Sequence, residues 1–241
     1  MKRLLILKLG STFRDLARTH GDFEDWIARG LSLPAERIAV ADAQSLEQLP
    51  APQEFCGVVL TGSHSMVTDA EPWSERVSDW VAGAVEAEVP LVGICYGHQL
   101  LARAIGGEVD YNPRGEEYGT VEVLLGEESA GDRLFGGLPS RLRVQVCHAQ
   151  SVRRLPPEAR VLATNSHDSF QAFAVGHAAW GVQFHPEFDA RAMRAYIRDA
   201  SADLAAAGRD PADLLRRVAE IPEAEALLAR FGRLATEADA T

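Results

Sequence analysis

One cysteine of this chain stands between two glycines in Gly93-Ile94-Cys95-Tyr96-Gly97, after the apolar run 91–94 and ahead of a helical pattern over 98–105. A strand that turns abruptly into a helix can hold its turn residue with the side chain exposed. The chain then passes so close to itself that only small residues fit on either side. The helix that follows aims its free N–H groups at the sulfur, which favours thiolate. It also leaves the Tyr96 N–H where an oxyanion would form. Nucleophilic attack by Cys95 is the chemistry such a turn serves; a buried structural cysteine in a glycine-bounded turn is the alternative.

A thiol nucleophile needs a base, and the base needs a group to orient it. The run Gly181-Val182-Gln183-Phe184-His185-Pro186-Glu187 offers both. His185 ends an apolar strand, Pro186 stops the strand, and Glu187 lies two residues on, so an extended chain directs both side chains to one side. One imidazole nitrogen then faces Cys95 while Glu187 accepts from the other. A second oxyanion donor is expected from the end of another strand, and Thr61-Gly62-Ser63 after the run 57–60 suits it, since Gly62 lets a backbone N–H approach a carbonyl.

These residues require a sheet that brings several strand ends together. Apolar runs at 4–9, 37–40, 57–60 and 91–94 read as strands, and Glu71-Pro72-Trp73 opens a helix with Val77, Trp80, Val81, Ala84 and Val85 at helical spacing. That alternation predicts a mostly parallel α/β sheet covered by helices on both faces. Short strand patterns at 121–125, 142–146, 160–164, 171–175 and 181–184 predict an antiparallel extension. From Asp189 the chain is alanine-rich and helical, with segments near 189–206, 210–219 and 222–235 and a disordered tail over 236–241. One domain over 1–241 is expected, with a core at about 4–200 and a helical C-terminal extension at about 201–235.

The 241 residues carry 24 Lys and Arg against 35 Asp and Glu, a net charge of −11, and no basic cluster that would bind a polyanion. Neither a membrane-spanning run nor a cleaved leader is read at the N-terminus. Three cysteines, Cys56, Cys95 and Cys147, show no Cys-x-x-Cys spacing, so no disulfide framework or metal site is expected, and the chain reads as reduced and cytoplasmic. Cys56 and Cys147 read as core residues, and His20, His64, His167 and His177 as belonging to no constellation. The mechanism calls for no cofactor.

The stretch Gly93-Ile94-Cys95-Tyr96-Gly97-His98-Gln99, taken with Gly181 to Glu187, resembles the class I (triad-type) glutamine amidotransferases, most nearly free-standing relatives of the GMP synthetase glutaminase domain. The resemblance covers roughly residues 4–200 and implies a flavodoxin-like glutaminase fold that releases ammonia from glutamine through a γ-glutamyl thioester. It implies Cys95 as nucleophile, His185 as base and Glu187 as orienter, with Gly62 and Tyr96 supplying the oxyanion hole. Gln99 would contact substrate, and His148, Ala149, Gln150 and Ser151 would meet the amino-acid end of glutamine; Glu117-Tyr118-Gly119 matches a family loop. The sequence departs from the family at Gly62-Ser63-His64, where Gly-Gly-Pro is frequent, and at Ala149-Gln150, where Gly-Asp is. No Ser-Gly-Gly phosphate loop occurs, so complete GMP synthesis is not expected of these residues. The implied partners are a small-molecule substrate and an ammonia-accepting synthetase, with neither nucleic acid nor membrane. A self-sufficient γ-glutamyl peptidase and a non-catalytic regulatory subunit remain as alternatives.

Overall fold

A computed structural model describes residues 1–239 of the chain. The first apolar run forms β1, Arg3–Lys8, and its side chains alternate as a strand must: Leu4 and Ile6 enter one core, Leu5 and Leu7 the other. β2 (Ile38–Asp42), β3 (Phe55–Leu60), β4 (Leu91–Ile94) and β11 (Ala179–Val182) complete a parallel set in the order β2-β1-β3-β4-β11. Beyond β11 the sheet continues antiparallel through β10 (Ala172–Val175), β9 (Arg160–Thr164), β6 (Glu117–Leu125) and β7 (Arg141–His148), giving nine strands. The parallel sheet with an antiparallel extension is as the sequence predicted, except that the run expected at 181–184 forms β11, which pairs parallel with β4 and so belongs to the parallel set.

Two layers of helix cover it. α3 (Pro72–Glu86) and α4 (Tyr96–Ala104) lie on one face, where Trp73, Val77, Val81, Leu100 and Leu101 meet Leu5, Leu7, Val58 and Leu60. On the other face α2 (Phe23–Gly30) and the C-terminal α8 (Pro222–Ala238) insert Ile27, Leu227, Leu228 and Phe231 against Leu4, Ile6 and Val59. Each such side chain taken fully from water contributes about 1.5–3 kcal/mol. The Leu227, Leu228 and Phe231 stripe of α8 is therefore packing against the sheet.

Several elements were not read from the sequence. α1 (Arg14–His20) and α2 precede β2; α2 carries a capping box in which Asp22 and Asp25 each bond the other's backbone N–H. β5 (Glu108–Tyr111) and β8 (Gln150–Arg154) form a separate two-stranded antiparallel sheet. The stretch 189–206 is two helices, α5 (Ala190–Asp199) and α6 (Ser201–Ala206), followed by α7 (Pro211–Arg217). The expected disordered tail is helical as far as Ala238, and positions 240 and 241 lie outside the described residues. Among the described residues no helix is long and apolar enough to cross a membrane.

Candidate active site

At the C-terminal end of β4 the chain turns at once into α4, with Cys95 at φ +51° and ψ −99°, a left-handed conformation for a residue with a side chain. Such a backbone costs on the order of 1–3 kcal/mol and persists only where its surroundings enforce it. Here the enforcement is visible. The Cys95 N–H donates to the Val182 carbonyl at 2.8 Å and its carbonyl accepts from the Gln99 N–H at 3.1 Å. A Cβ on Gly93 would overlap the Gly97 carbonyl, and one on Gly97 would stand 2.7 Å from the Leu60 carbonyl oxygen. Both glycines are therefore fixed by backbone lying on backbone. Tyr96 is the first residue of α4, so its N–H is among those a helix start leaves unpaired.

His185 follows β11 and is anchored by its own N–H, which donates to the Gln145 carbonyl on β7 at 2.8 Å. Its Nδ1 lies 2.8 Å from Glu187 Oε1, and the side chains of both residues are at most 2% exposed. Burial alone would hold this imidazole neutral. The Glu187 carboxylate, aided by the thiols of Cys147 and Cys95, outweighs it and raises the His185 pKa well above the usual histidine value. The ring stacks between Phe188, 4.1 Å away between centroids, and Phe23.

The other imidazole edge corrects the reading of Cys147 as a core residue. Cys147 is half-buried and its Sγ lies 3.6 Å from His185 Nε2, while Cys95 Sγ lies 3.9 Å from the Cys147 carbonyl oxygen. Cys56, by contrast, is buried in the core as expected.

Cys95, Tyr96, Gln99, Cys147, His148, Ala149 and Gln150 line a cavity of about 230 Å³. Its polar wall is tightly tied. Gln99 Nε2 donates to the Gln150 carbonyl at 2.8 Å and to Gln183 Oε1 at 3.0 Å. His148 Nδ1 faces the same Gln150 carbonyl at 3.0 Å and Nε2 faces Glu117 Oε2 at 3.0 Å, so both ring edges meet acceptors. Glu117 also accepts from Gln171 Nε2 and Asn165 Nδ2, each at 2.7 Å. Burial raises the Glu117 carboxyl, but His148 and Asn165 outweigh that and lower its pKa.

Four sequence-selected residues are not on this cavity wall: His185 and Glu187, placed above, and Ser151 and Gly62. Ser151 is wholly buried and accepts from Asn112 Nδ2 at 3.0 Å. Gly62 lies instead behind His185, where a Cβ would come 3.2 Å from Cε1 of the ring. The wall at that point is Ser63, His64 and Ser65. Thr61 fixes this turn: its hydroxyl accepts from the Leu9 N–H and donates to the Gly62 carbonyl, both at 2.9 Å. With that carbonyl held, the Ser63 N–H of the same planar peptide must point the opposite way.

The outer wall comes from residues to which the sequence assigned no role in the site. Phe13, His64, Tyr118 and Tyr196 supply aromatic sides, and Glu116, Asp199 and Asp203 stand at the rim. His64, expected to join no constellation, meets the Tyr196 hydroxyl at 3.2 Å, and burial and then the charge on His185 lower its pKa. No local pattern marks these positions, because they reach the cavity from separate loops, from the start of β6 and from α5 and α6. Among the described residues no group of at least three His, Cys, Asp or Glu side chains is arranged to hold a metal.

Fold and site together define an α/β protein with a cysteine elbow after β4 and a buried histidine–glutamate pair after the neighbouring β11. The family model for glutamine amidotransferase class-I matches residues 23–203, and the chain belongs to that family. It is 33% identical over 176 residues to a glutamine-hydrolyzing GMP synthase subunit from Methanothermobacter thermautotrophicus, covering 71% of this chain and 87% of that one. It is 36% identical over 168 residues to a glutamine-hydrolyzing GMP synthase from Aeropyrum pernix, 69% of this chain but only 31% of that protein. The chain thus spans about a third of that relative's length. A glutamine amido transferase from Methylobacillus flagellatus has the same fold, with a TM-score of 0.78 at 25% identity over 99% of this chain and 95% of that one.

Proposed function

We propose that the chain hydrolyses the side-chain amide of glutamine, with Cys95 as nucleophile, His185 as base and Glu187 as its orienter. The observation that carries this reading is the strained Cys95 turn set beside a buried His185 whose Nδ1 is held by Glu187 at 2.8 Å. Cys95 Sγ attacks the amide carbon, the oxyanion is met by the Tyr96 N–H, and the second donor is the Ser63 N–H of the Gly62–Ser63 peptide. Losing one such donor costs roughly 2.7–4 kcal/mol in related chemistry. His185 passes a proton to the departing nitrogen, so ammonia leaves and a γ-glutamyl thioester remains. Water activated by the same imidazole then releases glutamate. Apo hydrogen bonds of this kind tighten when substrate binds; here the Nε2 edge meets Cys147 Sγ at 3.6 Å.

By analogy with the relative named as part of a GMP synthase, the ammonia is destined for a separate synthetase partner. A second reading, a self-sufficient γ-glutamyl hydrolase, is favoured by the aromatic outer wall of Phe13, Tyr118 and Tyr196, which offers room for a leaving group larger than ammonia.

The test is glutamate release from L-glutamine and from γ-glutamyl dipeptides by the purified chain, with Cys95→Ala alongside. Cys95-dependent release from glutamine supports the first reading, and preference for dipeptides the second. If the variant keeps more than a tenth of wild-type turnover, Cys95 is not the nucleophile.

A further inference from the structure

Hydrolysis of an amide by Cys95, His185 and Glu187 leaves one reactive group of the cavity without a task. Cys147, the penultimate residue of β7, presents its thiol to the Nε2 edge of His185 at 3.6 Å. The Cys95 sulfur in turn reaches the main chain of Cys147, 3.9 Å from its carbonyl oxygen. Both side chains line the same cavity, and Cys147 is half-buried rather than sealed in the core. Two thiols that share one cavity, one of them beside an imidazole, are the parts a thiol–disulfide switch requires: a sulfur that is oxidised, a second that resolves it, and a proton carrier at the second.

We propose that Cys147 is a resolving cysteine, and that hydroperoxides convert Cys95 and Cys147 into a reversible disulfide across the cavity. In the first step Cys95 thiolate takes the distal oxygen of a hydroperoxide, the O–O bond breaks, the departing alkoxide takes the proton of His185 Nε2, and Cys95 sulfenic acid, an alcohol (water, when the oxidant is hydrogen peroxide) and a neutral His185 are left. In the second, Cys147 gives its proton to His185 Nε2 and attacks the sulfenic sulfur. The S–S bond forms as the S–O bond breaks, and the departing hydroxide leaves as water with that proton. Two thiols and one hydroperoxide thus become one disulfide, one alcohol and one water, and the peroxide accepts both electrons. Dithiol reagents reverse the bond.

The consequence for activity rests on the assignment of Cys95 as nucleophile; formation of the bond does not. With Cys95 tied to Cys147, no free thiol faces the substrate and turnover stops. The bond also protects the site, since a sulfenic acid with no second thiol nearby advances to sulfinic acid, which dithiols do not reduce. Cys56 is an internal reference: it sits near the start of β3, buried in the core, and lines no part of this cavity.

The experiment treats the full wild-type chain with one to a few equivalents of hydrogen peroxide, followed by alkylation, non-reducing digestion and mass mapping. The expected product is a Cys95–Cys147 linked peptide, lighter by two hydrogens, from protein migrating as a monomer, with Cys56 alkylated. Glutaminase activity should fall at least tenfold and return with dithiothreitol. In Cys147→Ser the linked peptide disappears and Cys95 instead gains two oxygens, an adduct that dithiothreitol leaves in place. Recovery of Cys95 sulfinate with Cys147 still alkylatable in the wild type overturns the proposal, as does pairing of either residue with Cys56. A linked peptide with undiminished turnover would uphold the switch chemistry and instead remove Cys95 as the nucleophile.

Discussion

Glu117→Gln is the substitution whose effect the structure specifies most fully. The Glu117 carboxylate is buried and takes three donors: His148 Nε2 at 3.0 Å and Gln171 Nε2 at 2.7 Å on one oxygen, and Asn165 Nδ2 at 2.7 Å on the other. Glutamine has the same shape but one oxygen and one amino group. Whichever way it turns, an N–H₂ is placed against an N–H₂ or against the His148–Gln171 pair, and the charge facing His148 is gone. Removing one partner of a buried pair typically costs roughly 3–5 kcal/mol. For a protein of this size each kcal/mol lowers Tm by about 2–4 °C, so a fall on the order of 10 °C is expected. Because His148 also faces the Gln150 carbonyl, the strand end lining the cavity should loosen, raising KM for glutamine more than it lowers kcat. Scanning calorimetry and steady-state glutamate release read the two effects. A variant that melts within about 2 °C of wild type with unchanged KM would show that the Glu117–His148 pair does not hold the cavity wall.

Three further outcomes follow from the geometry. Gly93→Ala places a methyl on the Gly97 carbonyl, so the elbow must shift; a displacement near 1 Å is expected to lower kcat/KM about 100-fold, whereas retained activity would mean that the turn yields without moving Cys95. Gly83→Ala, in the interior of α3 with no atom within 4 Å of the new methyl, should raise stability by about 0.5–1 kcal/mol in a denaturant melt and leave turnover alone. His98 is wholly buried, and burial, only partly opposed by Asp168 and the Gly181 backbone, lowers its pKa from 6.5 to about 4. The unfolded chain therefore binds the extra proton between those values, and stability is lost as pH falls from 6.5 towards 4, by about 3 kcal/mol. His98→Asn should abolish that component, so the stability gap between variant and wild type narrows by this amount on acidification; a pH-independent gap would refute the buried-neutral assignment.

The parallel core was legible because its information is local. Strands buried on both faces are continuous apolar runs, and the glycines flanking Cys95 announce a backbone crossing that no larger residue tolerates. His185 and Glu187 were legible as a pair because Pro186 confines the chain between them, and the fold sets them 2.8 Å apart. The α8 stripe was read as packing for the same reason: its spacing repeats on one helical face. Tertiary structure alone decided what surrounds them. Cys147 and His64 meet the His185 site across long sequence separations, from a strand at the far edge of the sheet and from the loop after β3, so their neighbours carry no trace in the adjoining sequence. Gly62 and Ser63 are adjacent in the chain, yet only the Thr61 hydroxyl, by fixing the Gly62 carbonyl, decides which peptide N–H can point away from it. Phe13, Tyr196 and Asp199 become cavity wall only because α1 and α5 pack together. Sequence specified the turn that holds the nucleophile candidate, since a turn is a local steric matter; the surroundings of that thiol are long-range packing, which only the folded chain fixes.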